Sequence, residues 1–168
     1  ISLGLVGSEM CIRDSYNYTP EGIAFVRKLF LTEGENHKSL PKRIIVSREK
    51  ANARRLLQSD LLSEMLAPLG FEKVLLENFS LADQAILFHS AKTIIMPTGG
   101  GLANLAFCQS DTQVVELFDP AYLPTFSFVL SQELGLEYHA LVGSNHTKAN
   151  GHSDSGGEND MHLSLIHI

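Results

Sequence analysis

Five short β-rich runs alternate with helical stretches between Pro20 and Val142, with Gly- and Pro-bearing turns among the joints between them. That alternation predicts an α/β domain, a Rossmann-like parallel sheet with right-handed crossovers and helices on both faces. The length suits one domain with a real core.

In chain order, "PEGIAFVRKLFLTEG" sets Ile23, Val26 and Phe30 at helical spacing behind Pro20, a residue suited to a first turn. "KRIIVSR" is a compact β-branched strand. "QSDLLSEMLAPLG" reads as a helix with Leu61, Leu62, Met65, Leu66 and Leu69 on one side and Gly70 as its stop. "FEKVLLE" is a strand. "SLADQAILFHSA" opens on Ser80 with Asp83 three residues later, close to a capping box. Strand "TIIMP", turn "TGGG", helix "LANLAFC", strand "QVVELF", helix "PTFSFVLSQELG" and strand "EYHALV" complete the order. "GSNHTKANGHSDSGGEND" has no apolar period, so residues 143–162 read as a flexible loop or linker.

The two ends are of another kind. Leu5–Ser15 and Leu163–Ile168 back-translate onto DNA strings related by reverse complement, and both resemble a transposon adapter used to prepare sequencing libraries. Residues 1–15 and 163–168 therefore read as adapter-derived scars outside the fold. Residues 16–142 read as the domain, and Tyr16–His162 as an internal piece of a longer protein.

The chain carries a net charge of −6, or −5 once Glu9, Arg13 and Asp14 are set aside with the ends. An acidic chain gives no general electrostatic reason to bind nucleic acid. No apolar run reaches the roughly 18 residues that span a bilayer. Within 16–162 Cys108 is the single thiol, which fits a reducing compartment.

In open α/β sheets ligands bind beyond the carboxyl ends of the strands. There "PTGGGLAN" places Gly99, Gly100 and Gly101 between a strand and a helix, where backbone N–H groups can meet a phosphate or diphosphate. Thr98 can add a hydroxyl donor, and Asn104 can bond the ligand or brace the loop. A tight turn with a helix cap is the equal alternative. The stretch is neither GxGxxG nor a P-loop. "VSREKANARR" places Ser47, Arg48, Arg54 and Arg55 just past the first strand, and guanidinium groups fork onto phosphate oxygens. Arg48 is the first choice; a solvated helix face is the alternative for Arg54 and Arg55, and is expected for at least one of them. Glu116 is a lone acid in an apolar strand, suited either to ribose hydroxyls or to an exposed sheet edge. His89 ends a helix, His139 reads as a surface residue, and no His pair has zinc-ligand spacing. No G-x-S-x-G elbow is present.

Together, "RIIVSREKANARR", "LAPLGFEKVLLENFSLADQAILFHSAKTIIMPTGGGLANLAFC" and "QVVELFDP…LGLEYHAL" resemble glycosyltransferase family 61, from about Arg43 to Val142. The resemblance implies the carboxy-terminal, donor-binding half of a GT-B glycosyltransferase. It maps the family's Ser-Arg pair onto Ser47 and Arg48, its glycine loop onto Gly99, Gly101 and Asn104, and its strand-end acid onto Glu116. Many members carry His where this chain has Thr98, and Ala where it has Gly100. The implied reaction is inverting transfer of a sugar from a nucleotide-sugar, a UDP-sugar first among them, to a hydroxyl of a polysaccharide or protein acceptor. The departing diphosphate would be met by Arg48 and the glycine loop without a metal or other cofactor. No catalytic base can be named, and the piece alone is expected to be inactive. A bacterial cytoplasmic enzyme of capsular polysaccharide synthesis is the first expectation, and the lumen of the ER or Golgi the alternative for a eukaryotic source. A non-catalytic nucleotide-binding module and an NAD-type oxidoreductase domain are the rivals. Against the latter stands "SREKAN" where a GxGxxG would follow the first strand.

Overall fold

The computed structural model describes residues 18–31, 40–145 and 160–163. The adapter-derived readings of 1–15 and 164–168 lie outside the described residues, as does most of the 143–162 linker.

Helix α1 (Pro20–Phe30) starts where Thr19 Oγ1 accepts from the Gly22 N–H at 3.1 Å, with Pro20 in the first turn. Ile23, Val26 and Phe30 pack on the main core, as their spacing predicts. Strands β1 (Arg43–Ser47), β2 (Phe71–Leu75), β3 (Thr93–Pro97), β4 (Gln113–Phe118) and β5 (Glu137–Val142) form one sheet in the order β2-β1-β3-β4-β5. Every pairing is parallel, so each connection is a crossover. Helices α2 (Ser59–Leu66), α3 (Leu81–Ser90) and α4 (Phe126–Leu134) make three of them. Ser80 caps α3 through the Asp83 N–H at 3.1 Å, and Gly70 and Gly135 stop their helices in the left-handed region. The fold is the α/β class that the alternation predicts.

The two-residue period of the strands divides the core. Ile44, Val46, Ile94, Met96 and Val114 face one side, where Phe88, Leu102, Leu105 and Leu130 meet them. Ile45 and Leu117 face the other side and meet Leu56, Leu62, Met161 and Leu163. No helix among the described residues is long and apolar enough to cross a membrane.

Three expectations are corrected. The connection from β3 to β4 is a 3-10 helix over Gly100–Phe107, where an ordinary helix is read from the sequence. Eight residues at about 2.0 Å rise span about 16 Å, the height of a five-residue strand, whereas an α-helix of that length would cover about 12 Å. Arg27 of α1 closes its end by donating to Ala106 O at 2.6 Å and to Cys108 O. On α2 the leucines do not share one side: Leu62 is buried and Leu66 packs beside it, while Leu61, Met65 and Leu69 are exposed. They repeat every fourth residue along the outward stripe.

The third correction concerns the linker and the chain end beyond it. Ser144–Asn145 (β6) pairs antiparallel with Met161–His162 (β7). Asp160 accepts from the Arg55 backbone N–H at 2.8 Å and from its guanidinium at 3.0 and 2.7 Å. Met161 and Leu163, the latter read as adapter-derived, are buried against the second core face. Two apolar residues spaced by two, just past the polar stretch, seat residues 160–163 on the second core face.

Candidate functional site

The sheet order reverses between β1 and β3. From β1 the chain crosses to β2 over one face; from β3 it moves to β4 over the other. A crevice at the carboxyl ends of these two strands is the consequence. Arg48 follows β1 directly, and Thr98 and Gly99 follow β3.

The Arg48 guanidinium lies on Gly99. A β-carbon at position 99 would stand 2.1 Å from Arg48 Nη1 and 2.7 Å from its Cζ. Gly99 has an extended backbone that any residue adopts, so it is the arginine that excludes a side chain. At Gly101 a β-carbon would meet Leu76 Cδ1 at 2.9 Å, while Gly100 faces open space. The three glycines are therefore unequal, and Ala fits only the middle one without a contact.

Arg48 and Arg54 are both half-buried, and each has a buried Nε–H without a hydrogen-bond partner. Arg48 Nη2 makes only a long 3.4 Å contact with Ala53 O. Burial first, and the Arg54 charge second, push the Arg48 pKa below the usual arginine range, while Glu77 pulls it back. Arg54 is held at φ 56°, and its guanidinium carbon lies 5.0 Å from the centroid of the Tyr122 ring. Two guanidinium groups in electrostatic contact, each with an unused donor, suit an anion with several acceptor oxygens.

The other residues read from the sequence are placed differently. The Ser47 hydroxyl is buried and braces the turn after β1, accepting from the Glu49 N–H at 3.3 Å. Thr98 is buried as well, and its hydroxyl donates to Glu116 Oε1 at 2.7 Å instead of facing a ligand. Asn104 braces the loop: its Nδ2 donates to Gln84 Oε1 at 2.8 Å, and Gln84 Nε2 donates to Leu76 O and Phe79 O. Glu116 has no exposed surface and accepts from Thr98, from Ser127 and from the Tyr138 hydroxyl at 2.7 Å. Neither a ribose nor the solvent at a sheet edge reaches that carboxylate, because it is fully buried and hydroxyls of three neighbouring residues surround it.

Arg55 is engaged with Asp160 and belongs to the fold. His89 holds the Phe107 carbonyl through Nδ1 at 3.0 Å, and exposed His139 pairs with Glu137 at 3.3 Å. The Cys108 thiol is buried, and burial pushes its pKa up to about 12. Tyr122 is the site residue that sequence reasoning missed. Its signal was the Asp-Pro dipeptide, since Asp119 Oδ1 accepts the Ala121 N–H at 2.7 Å and the turn carries Tyr122 to Arg54.

A family model described as Glycosyltransferase 61 matches residues 9–115, more than half of the chain. The match takes in β1 to β3, both arginines and the glycine loop, and stops one residue before Glu116. It begins inside the stretch that also back-translates to adapter DNA. No curated protein matches the chain.

Proposed function

Because the chain belongs to glycosyltransferase family 61, and is by that membership part of a transferase enzyme, we propose that Arg48 and Arg54 hold the diphosphate of a nucleotide-sugar donor. The observation that carries this reading is the pair of buried, partnerless Nε–H groups at the β1/β3 crevice. A diphosphate supplies several acceptor oxygens and two negative charges to two guanidinium groups whose Nε–H donors are unused. Gly99 leaves the space that the Arg48 guanidinium occupies, and the Tyr122 ring lies under the second arginine.

In the proposed reaction the acceptor hydroxyl attacks the anomeric carbon with inversion, and the bond from that carbon to the diphosphate oxygen breaks. Negative charge grows on the leaving diphosphate, where two guanidinium groups stabilise it more in the transition state than in the ground state. The acceptor proton passes to a general base. UDP-sugars are the first donor class, with a glycan or protein hydroxyl as acceptor. The domain acts as the donor half of a GT-B pair, and a bacterial cytoplasmic setting in capsular polysaccharide synthesis is the proposed context.

The test is titration of the chain with UDP, a UDP-sugar panel, GDP and NAD, followed by thermal shift, alongside Arg48→Ala. Saturable stabilisation by UDP that Arg48→Ala weakens about ten- to a hundredfold is expected. Preference for NAD, or UDP binding untouched by Arg48→Ala, would overturn the proposal.

A further inference from the structure

A carboxylate in the middle of an apolar strand is costly unless both of its oxygens are hydrogen-bonded. Glu116 occupies such a place in β4, between β3 and β5, with no exposed surface. Tyr138 from β5 and Ser127 from α4 donate to its Oε2, which anchors the carboxylate from two sides. Its Oε1 is left to one partner, Thr98 Oγ1 at 2.7 Å. The Thr98 hydroxyl also lies 3.1 Å from Leu117 O, but it has one proton, and the carboxylate is the nearer and stronger acceptor. The Thr98 N–H meanwhile donates to Leu117 O at 2.9 Å. Thr98 is thus tied twice to adjacent residues of β4, and the next residue is Gly99, on which Arg48 lies.

We propose that Glu116 is a positioning residue, which through Thr98 fixes the Gly99 backbone against the Arg48 guanidinium. It touches no ligand. Its effect on anion binding rests on the donor-site reading above; its effect on the Arg48–Gly99 contact does not.

Two measurements on the 168-residue chain separate these. The first is the NOE between the Arg48 Nε proton and the Gly99 α-protons, and the second is binding of inorganic pyrophosphate by calorimetry. Thr98→Val and Glu116→Leu remove the bond from either side. Both are expected to lose the NOE and to bind pyrophosphate about tenfold more weakly. Thr98→Ser keeps the hydroxyl and should retain both signals. Leu62→Ala, on the opposite core face, should lower the melting temperature while leaving both signals in place. An NOE that survives Thr98→Val, or that Leu62→Ala abolishes equally, overturns the proposal. If the NOE behaves as expected but the unmodified chain ignores pyrophosphate, the donor reading fails and the positioning role stands.

Discussion

Arg48 and Gly99 are in contact across the β1/β3 crevice, and a β-carbon on Gly99 would come within 2.1 Å of the guanidinium. The group in the way is the far end of a flexible side chain. Gly99→Ala should therefore displace Arg48 while the backbone stays in place. The expected result is a melting temperature close to that of the unmodified chain, with pyrophosphate affinity falling toward that of Arg48→Ala. Gly100→Ala, in open space, should leave affinity alone and stabilise by about 0.4–1 kcal/mol through the unfolded chain. Thermal denaturation and calorimetry on the two variants check both statements.

Arg48 and Arg54 hold like charges together with unused donors, which favours ligand binding at the expense of the empty fold. Without an anion, Arg48→Ala should melt no lower than the unmodified chain. On addition of pyrophosphate the unmodified chain should gain stability in proportion to the logarithm of concentration above saturation, and Arg48→Ala only at about ten- to a hundredfold higher concentration. A melting series at rising pyrophosphate measures this directly.

Alkaline pH should destabilise the chain through a buried thiol and a half-buried phenol. The Cys108 thiol rises from 9.0 to about 12 by burial, and the Tyr138 phenol rises because it is buried and donates to Glu116. Both protons are held more tightly in the folded chain than in the unfolded one. The stability they confer is whole below pH 9 and drains away as pH climbs toward 12. Melting temperatures between pH 8 and 11 should fall, and fall less steeply in Cys108→Ala. Alkylation at pH 8 followed by peptide mapping should leave Cys108 unmodified until denaturant is added.

Asp160 joins residues 160–163 to the loop that carries Arg54. Its carboxylate takes three N–H groups of Arg55, and Met161 exchanges backbone bonds with Arg55 and Leu57. Asp160→Ala should free residues 160–163 before the five-stranded sheet opens. Faster amide exchange at Leu57 and Met161, with β3 and β4 protected as before, is the expected pattern, together with a melting temperature lower by several degrees. Hydrogen exchange followed by NMR resolves it.

The elements were legible because their signals are local. Pro20, the Ser80–Asp83 pair and Gly70 act within one turn of the chain. The same holds for Arg48 and the glycine run, which gain their position from being the first residues past two strands. Thr98 and Ser47 were misplaced because a hydroxyl at a strand end can face a ligand or a neighbour, and its own sequence does not distinguish them. Asn104 finds Gln84, and Glu116 finds Tyr138, 22 residues away.

The sequence by itself determined the order of the five parallel strands and the helical segments between them, and hence that Arg48 and the glycine loop both lie at the carboxyl end of the sheet; the sheet order then made β1 and β3 neighbours. Periodicity, capping and crossover chirality suffice for that, and all three act over short stretches of chain. Only the tertiary structure decided which polar groups stay free. Glu116, Thr98 and Asn104 spend their hydrogen bonds on partners brought in by other elements, whereas Arg48 and Arg54 find none for Nε. Satisfaction of a buried donor depends on what packs beside it, and packing is settled among residues far apart in the chain.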